Sequence, residues 1–324
     1  MKKKLYLVLD TETATLPFSD TLCKDEKQKQ KIAIAKPLVY DIGWTITDRQ
    51  GNIIKKENYL VQETFFVPAV FNTAYYKEKR PVYIKMLKEK EIKTDTWNNI
   101  ISTLEKDLSI IDFVCAYNAS FDFKKAIPFT ENYIKNLYSD NFNNWEKEQY
   151  KKCKNIIEGK DNSHNKEYLV PVFKLRNQEY KIIDLWSLAC QKLINNDNYK
   201  TFCIKNDLIS HSVEFFKTSA ESSFRYLMKD YNFIEEHTAL SDALIESKIL
   251  VKALKKGKVE PIISAFPFKE LGTTADFVKR KPKHRKKILN ALYNFISDND
   301  GFNKTNNGYW SKIVKLYNSI KEQA

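Results

Sequence analysis

The stretch that most constrains this chain is Leu5-Tyr6-Leu7-Val8-Leu9, an apolar run with no turn residue and no polar alternation. Such a run fits a strand buried on both faces of a sheet. It ends in carboxylates. Residues two apart on a strand face the same side, so Asp10 and Glu12 present a pair of acids where the buried strand emerges. A D-x-E triplet alone is usually a solvated strand end, and its meaning rests on what else reaches that point.

The residues up to 255 supply the rest of a sheet. Residues 39–48 and 53–61 are rich in β-branched and aromatic side chains and flank Arg49-Gln50-Gly51-Asn52, a pattern that predicts an antiparallel hairpin. Trp97, Ile100, Ile101, Leu104 and Leu108 fall at helical spacing, and residues 113–117 read as another buried strand. Residues 121–137 read as a helix bent or interrupted at Pro128. A fifth strand is expected at 180–184, then a helix through Leu185, Leu188, Ala189 and Leu193, and an amphipathic helix over Ala239–Leu254. The expected class is α/β, a mixed five-stranded sheet with flanking helices over residues 1–255. Residues 124–179 are too long for a plain connection and are expected to carry helices of their own. Residues 256–324 are expected to form a basic, mainly helical C-terminal extension.

The formal net charge of +13 predicts attraction to a polyanion, either nucleic acid or an anionic membrane surface. The start Met1-Lys2-Lys3-Lys4 imitates a secretory leader, but Asp10 ends the apolar run short of the about 7 to 15 residues a leader core needs. No segment supplies the roughly 20 apolar residues of a membrane span, so a cytoplasmic protein without a membrane partner is expected. Cys23, Cys115, Cys153, Cys190 and Cys203 are scattered, with no C-x-x-C spacing for zinc or redox chemistry, and read as reduced packing thiols.

Two further motifs carry chemistry. In Tyr117-Asn118-Ala119-Ser120-Phe121-Asp122 a buried strand breaks into a helix and delivers a carboxylate just after the turn. The bland alternative is a helix start, with Asn118 or Ser120 capping backbone N–H groups and Asp122 near the positive end of the helix dipole. In Glu236-His237-Thr238-Ala239-Leu240-Ser241-Asp242 positions 237 and 242 lie about 140° apart on an ideal helix. His237 is therefore expected before the helix, with Thr238 as N-cap and Asp242 in the first turns.

Taken in order, D-x-E on a first strand, N-x-x-x-D after a later strand and H-x-x-x-x-D opening a late helix resemble the DEDD superfamily of 3′ to 5′ exonucleases, in its histidine-containing DEDDh branch. Polymerase proofreading subunits and RNA-trimming ribonucleases belong to that branch. Asp41-Ile42-Gly43-Trp44 resembles its second strand, and Ile183-Asp184-Leu185 the strand after motif two. The resemblance covers residues 4–255 outside the insertion and implies an RNase H-like fold. It also implies that Asp10, Glu12 and Asp242 bind metal directly, that Asp122 holds one ion through water, and that His237 is the general base. Thr13, Ala14 and Leu16 would contact the substrate's terminal nucleotide, and Asn118 would also bind substrate. The implied cofactors are two divalent ions, Mg²⁺ or Mn²⁺, which prefer carboxylate oxygen and relieve the repulsion among clustered acids. An unperturbed imidazole, with a pKa of about 6.5, can take a proton from water near neutral pH. Asp184 reads better as a strand-end hydrogen-bond acceptor.

The implied activity is hydrolysis of single-stranded DNA or RNA from the 3′ end, releasing nucleoside monophosphates. The alternative is a catalytically inactive nucleic-acid-binding module of the same fold. A polymerase or a second copy of the chain is the kind of protein partner such enzymes use, and the sequence chooses neither. The long connection interleaves Tyr133, Tyr138, Phe142, Trp145 and Tyr150 with lysines, which suits base stacking but better suits an amphipathic helical pair packed on the core. Lys279, Arg280, Lys281, Lys283, Arg285, Lys286 and Lys287 form a dense basic run that reads either as a phosphate-contacting surface or as a solvated linker.

Overall fold

A computed structural model of the chain describes residues 4–161, 172–176, 178–210, 213–259, 266–298 and 308–322. Residues 162–171 and 177 of the expected insertion, and 260–265, 299–307 and 323–324 of the expected extension, lie outside the described residues.

Strand β1 (Leu5–Ala14) is the middle of a sheet, and Leu7, Val8 and Leu9 have no exposed surface. That position explains why the run alternates nothing: both of its faces are covered. On one side lie β2 (Leu38–Asp48), β3 (Ile53–Val61) and the short β4 (Lys93–Asp95). On the other lie β5 (Phe113–Ala116), β6 (Val172–Leu175) and β7 (Gln178–Asp184), in the spatial order β4-β3-β2-β1-β5-β7-β6. The sheet is mixed. β1 runs antiparallel to β2 and parallel to β5, and β5 runs parallel to β7. The C-terminal ends of β1, β5 and β7 therefore meet at the same edge of the sheet.

Among the described residues, seven strands replace the expected five. The two unforeseen ones are edge strands. Lys93-Thr94-Asp95 carries no apolar residue and so leaves no hydrophobic signature, while Val172–Leu175 falls inside the connection expected to be helical. The helices expected there are present as well, at Ile127–Leu137 and Phe142–Ile157. Tyr133 and Trp145 are buried and Tyr138 and Tyr150 exposed, as in an amphipathic pair packed on the core.

Helix Ala239–Leu254 spans the expected residues and lies against β1 and β2. Gly43 sets how closely it sits. A Cβ at that position would come within 2.3 Å of the Leu240 backbone nitrogen, a contact that no side-chain rotation relieves. Gly43→Ala should accordingly cost about 1–3 kcal/mol, the usual penalty for overpacking. Urea unfolding would read this as a lower midpoint at unchanged slope, and an unchanged midpoint would mean the helix does not need this approach.

The chain divides into two compact units. One comprises Met1–Leu185, Glu235–Leu254 and Lys258–Ala265, and contains the whole sheet. The other gathers Trp186–Ile234 with Lys255–Gly257 and Phe266–Ala324, a grouping that does not follow the expected boundary at residue 255. The second unit is helical, with a core that includes Tyr199, Phe216, Phe277, Ile288, Leu292 and Ile313.

The basic run belongs to this second unit and is not a linker. It ends helix Thr274–Arg280, turns at Pro282–His284 and opens helix Arg285–Asp298. Arg280 and Lys281 lie 3.0 and 3.7 Å from Asp197, and Lys287 lies 2.9 Å from Asp207. Lys279, Lys283 and Lys286 are exposed and Arg285 is half-buried. All five cysteines are buried free thiols. Among the described residues no helix is long and apolar enough to cross a membrane.

Candidate active site

The first acids are placed by β1. Asp10 pairs across to Gly43 and Glu12 to Asp41, and the register slips between Glu12 and Thr13. Such an irregularity bends a strand and re-aims the side chains beside it. Asp10 and Glu12 keep part of their surface open, whereas Thr11, facing the other way, is buried and donates its hydroxyl to Asp122 Oδ1 at 2.6 Å.

Asp122 arrives from the end of β5. Asn118 takes a left-handed backbone conformation (φ 62°), which turns the chain sharply out of the strand. The expected cap is not made by Asn118 or Ser120. Instead Asp184, at the end of neighbouring β7, accepts the Ala119 N–H at 3.0 Å. Asp184 thus plays the strand-end acceptor role, and Asn118 is left exposed. Residues Asp122–Ala126 form a π-helical turn, a wide turn that recurs at functional sites. It leads into a helix in which Pro128 stands in the first turn, where its missing N–H costs nothing.

Asp242 and His237 come from the third motif. His237 precedes the helix, as its spacing predicts, in the left-handed region (φ 49°). The first helical N–H, that of Ala239, is accepted by Asp41 Oδ2 at 2.9 Å, and the same oxygen accepts the Tyr83 hydroxyl at 2.9 Å. Glu12, His237 and Asp242 each bring one ligand-type atom to within 4.8 Å of the other two. His237 Nδ1 lies 3.7 Å from Glu235 Oε2 and 3.9 Å from Asp242 Oδ2.

Two acids that no motif singled out belong to this neighbourhood. Glu246 follows Asp242 by four residues on the same helix, hence on the same face, and is buried, with Oε2 accepting the Tyr117 N–H at 3.1 Å. Asp41 is fully buried beside Glu12. The i, i+4 pairing of Asp242 with Glu246 was the available signal for the first. Asp41 sits inside a stretch read only as strand.

Burial raises all of these carboxylates, and for all but Asp41 the charges of neighbouring acids add to it. Burial, then the charges of Glu246, Asp122, Asp242 and Glu12, raises Asp10 well above the ordinary range. Burial, then Asp242 and Asp41, does the same to Glu12, against the favourable charge of Lys79. Asp122 is pushed up to about 7 and Asp242 to about 8, in each case chiefly by burial. Glu246 is raised well above its usual value by burial, Asp122 and Asp242. Such a group of acids is stable only protonated or beside a cation.

No family model, no curated protein and no solved structure matches the chain.

The donor set fits a hard divalent cation. Asp242 Oδ1 is a buried acceptor without a hydrogen-bond partner. Glu12 and Asp242 supply carboxylate oxygens within one ligand-sized span, with the His237 imidazole beside them. Of the residues expected to meet the terminal nucleotide, Thr13 lines a cavity of about 260 Å³ with Thr15, Asn72, Thr73, Tyr75 and Lys77. Ala14 and Leu16 are instead buried in the core, at 2% and 1% exposure, because their apolar side chains pack beneath the sheet, and neither lines that cavity.

Proposed function

We propose that this chain is a metal-dependent 3′ to 5′ exonuclease of RNase H-like fold that releases nucleoside monophosphates from single-stranded ends. The observation that carries the reading is the convergence of Asp10, Glu12, Asp122, His237 and Asp242. They come from three distant stretches, and the four acids all titrate high in one shared neighbourhood that His237 adjoins. Perturbed acids gathered in this way, with a histidine at the rim, are the usual mark of a catalytic centre.

Asp10, Glu12 and Asp242 would hold the metal directly, with Asp122 supporting it from the Thr11 side. Bound divalent ions would polarise the attacking water and stabilise the leaving oxygen. His237 would take the proton from that water. The cavity beside Thr13 would receive the terminal nucleotide, and the exposed lysines of the second unit add a diffuse attraction for phosphates.

The test is incubation of the purified chain with 3′-labelled and 5′-labelled single-stranded DNA and RNA, with Mg²⁺ or Mn²⁺, beside Asp10→Ala. Early loss of the 3′ label with a ladder from the 5′ label, absent from the variant and in EDTA, is the expected result. Tight binding with no cleavage under any metal would replace the exonuclease with a binding module of the same architecture.

A further inference from the structure

His237 occupies a demanding position. It is a non-glycine residue at φ 49°, a conformation of small but real cost that persists only where surroundings impose it. The Glu235 and Asp242 carboxylates stand 3.7 and 3.9 Å from its Nδ1. Its ring face meets an aromatic side chain. The Tyr76 ring lies against the imidazole with centroids 4.4 Å apart and planes inclined by 14°.

Tyr76 comes from a stretch with no resemblance to any of the three motifs, in the connection between helices Pro68–Phe71 and Arg80–Lys88. Lys79 from the same connection has its Nζ 5.0 Å over the Tyr76 ring and donates to the carbonyl of Glu236, the residue before His237. One ammonium thus braces both the aromatic ring and the backbone of the histidine that lies on it. Further along the same segment, Tyr83 donates to the Asp41 oxygen that accepts the Ala239 N–H. The approach to helix Ala239–Leu254 is therefore fastened from residues 76–83 on both sides of His237.

We propose that Tyr76 is a positioning residue for His237. Its ring is the shelf that sets the plane of the imidazole beside Glu12 and Asp242, and Lys79 is the brace that keeps shelf and histidine together. This rests on the reading of His237 as general base. A general base contributes roughly 10²- to 10⁴-fold, and a misplacement of about 1 Å can remove 10²-fold. Loss of the shelf should therefore lower kcat while leaving strand binding largely intact.

The test compares wild type, Tyr76→Phe and Tyr76→Leu by two measurements. The first is imidazole C–H NMR, which needs no activity. With four histidines in the chain, His237 is assigned by subtraction with His237→Gln. Its ring protons should be shifted upfield by the stacked ring in wild type and Tyr76→Phe, and should return to ordinary positions in Tyr76→Leu. The second is 3′-end release from labelled single strands in Mn²⁺. Tyr76→Leu should lose on the order of 10- to 100-fold in kcat with KM within about threefold, and Tyr76→Phe should recover most of that loss.

An unshifted His237 in wild type overturns the shelf outright, even where Tyr76→Leu fails to fold. Equal kcat for Tyr76→Leu and an active wild type overturns the positioning role. An inactive wild type with the upfield shift present would sink the exonuclease reading, and with it the catalytic role, while leaving the stacking established.

Discussion

Asp10→Asn is expected to abolish hydrolysis and, at the same time, to stabilise the metal-free protein at pH 8. Loss of a directly bound carboxylate forfeits several kcal/mol of charge stabilisation in the transition state, so kcat should fall on the order of 10³-fold or more. The effect on folding has the opposite sign. Asp10 is raised by burial and by Glu246, Asp122, Asp242 and Glu12, so ionising it in the folded chain works against four neighbours. An amide of the same shape removes that repulsion. Thermal unfolding in EDTA should show a Tm for Asp10→Asn above wild type at pH 8, at roughly 2–4 °C per kcal/mol, with the gap narrowing toward pH 5. A variant less stable than wild type at pH 8 without metal would mean that Asp10 is a structural acid with a satisfied site. Retained activity would remove it from the chemistry altogether.

A stability gain on deleting an acid separates a functional cluster from an ordinary ion-pair network. Asp107 shows the contrast within the same unit: it accepts Trp44 Nε1–H at 2.9 Å and Lys55 Nζ at 2.7 Å, so its charge is answered in place. Replacing Asp107 by Ala should destabilise the protein by about 1–3 kcal/mol, since it leaves the buried Trp44 Nε1–H without an acceptor. Denaturant unfolding of the two variants side by side would show shifts of opposite sign.

What the sequence made legible follows from which interactions are local. The hairpin of β2 and β3, helix Trp97–Leu108 and helix Ala239–Leu254 were readable because each declares its period within a dozen residues. The placement of Asp10, Glu12 and Asp122 near strand ends followed from where apolar runs stop. β4 and β6 were not legible, since pairing at a sheet edge gives a strand of three or four residues no periodicity to read. The grouping of Trp186–Ile234 with the C-terminal residues was hidden for a related reason, because it is made by contacts between distant segments. The same holds for the site. Glu246, Asp41, Tyr76 and Lys79 join it through tertiary packing, and only Glu246 left a trace, in its four-residue spacing from Asp242.

The second large expectation is a reversal of the pH dependence of stability by metal. Asp122 and Asp242 titrate near 7 and 8 in the folded chain, and Asp41, raised mainly by burial, near 7, against about 3.9 for an unperturbed aspartate. Between about pH 4 and pH 8 the folded state therefore holds protons that the unfolded chain has released. Stability falls with rising pH wherever the folded state binds more protons, so the contribution of these groups is full below about pH 4 and is lost as pH passes 7 to 8. In EDTA the wild-type Tm should decline from pH 5 to pH 8, and Asp122→Asn/Asp242→Asn should decline less. A divalent ion binds only the deprotonated cluster, so its stabilisation should grow over the same interval. At Mn²⁺ about 100-fold above its dissociation constant the gain is about 2.7 kcal/mol. It should be large at pH 8, small at pH 5, and absent from the double variant at either pH. A wild-type Tm indifferent to Mn²⁺ at pH 8 would mean that the acids are kept neutral by their own protons, and a cluster held in that way could not supply the charge the proposed hydrolysis requires.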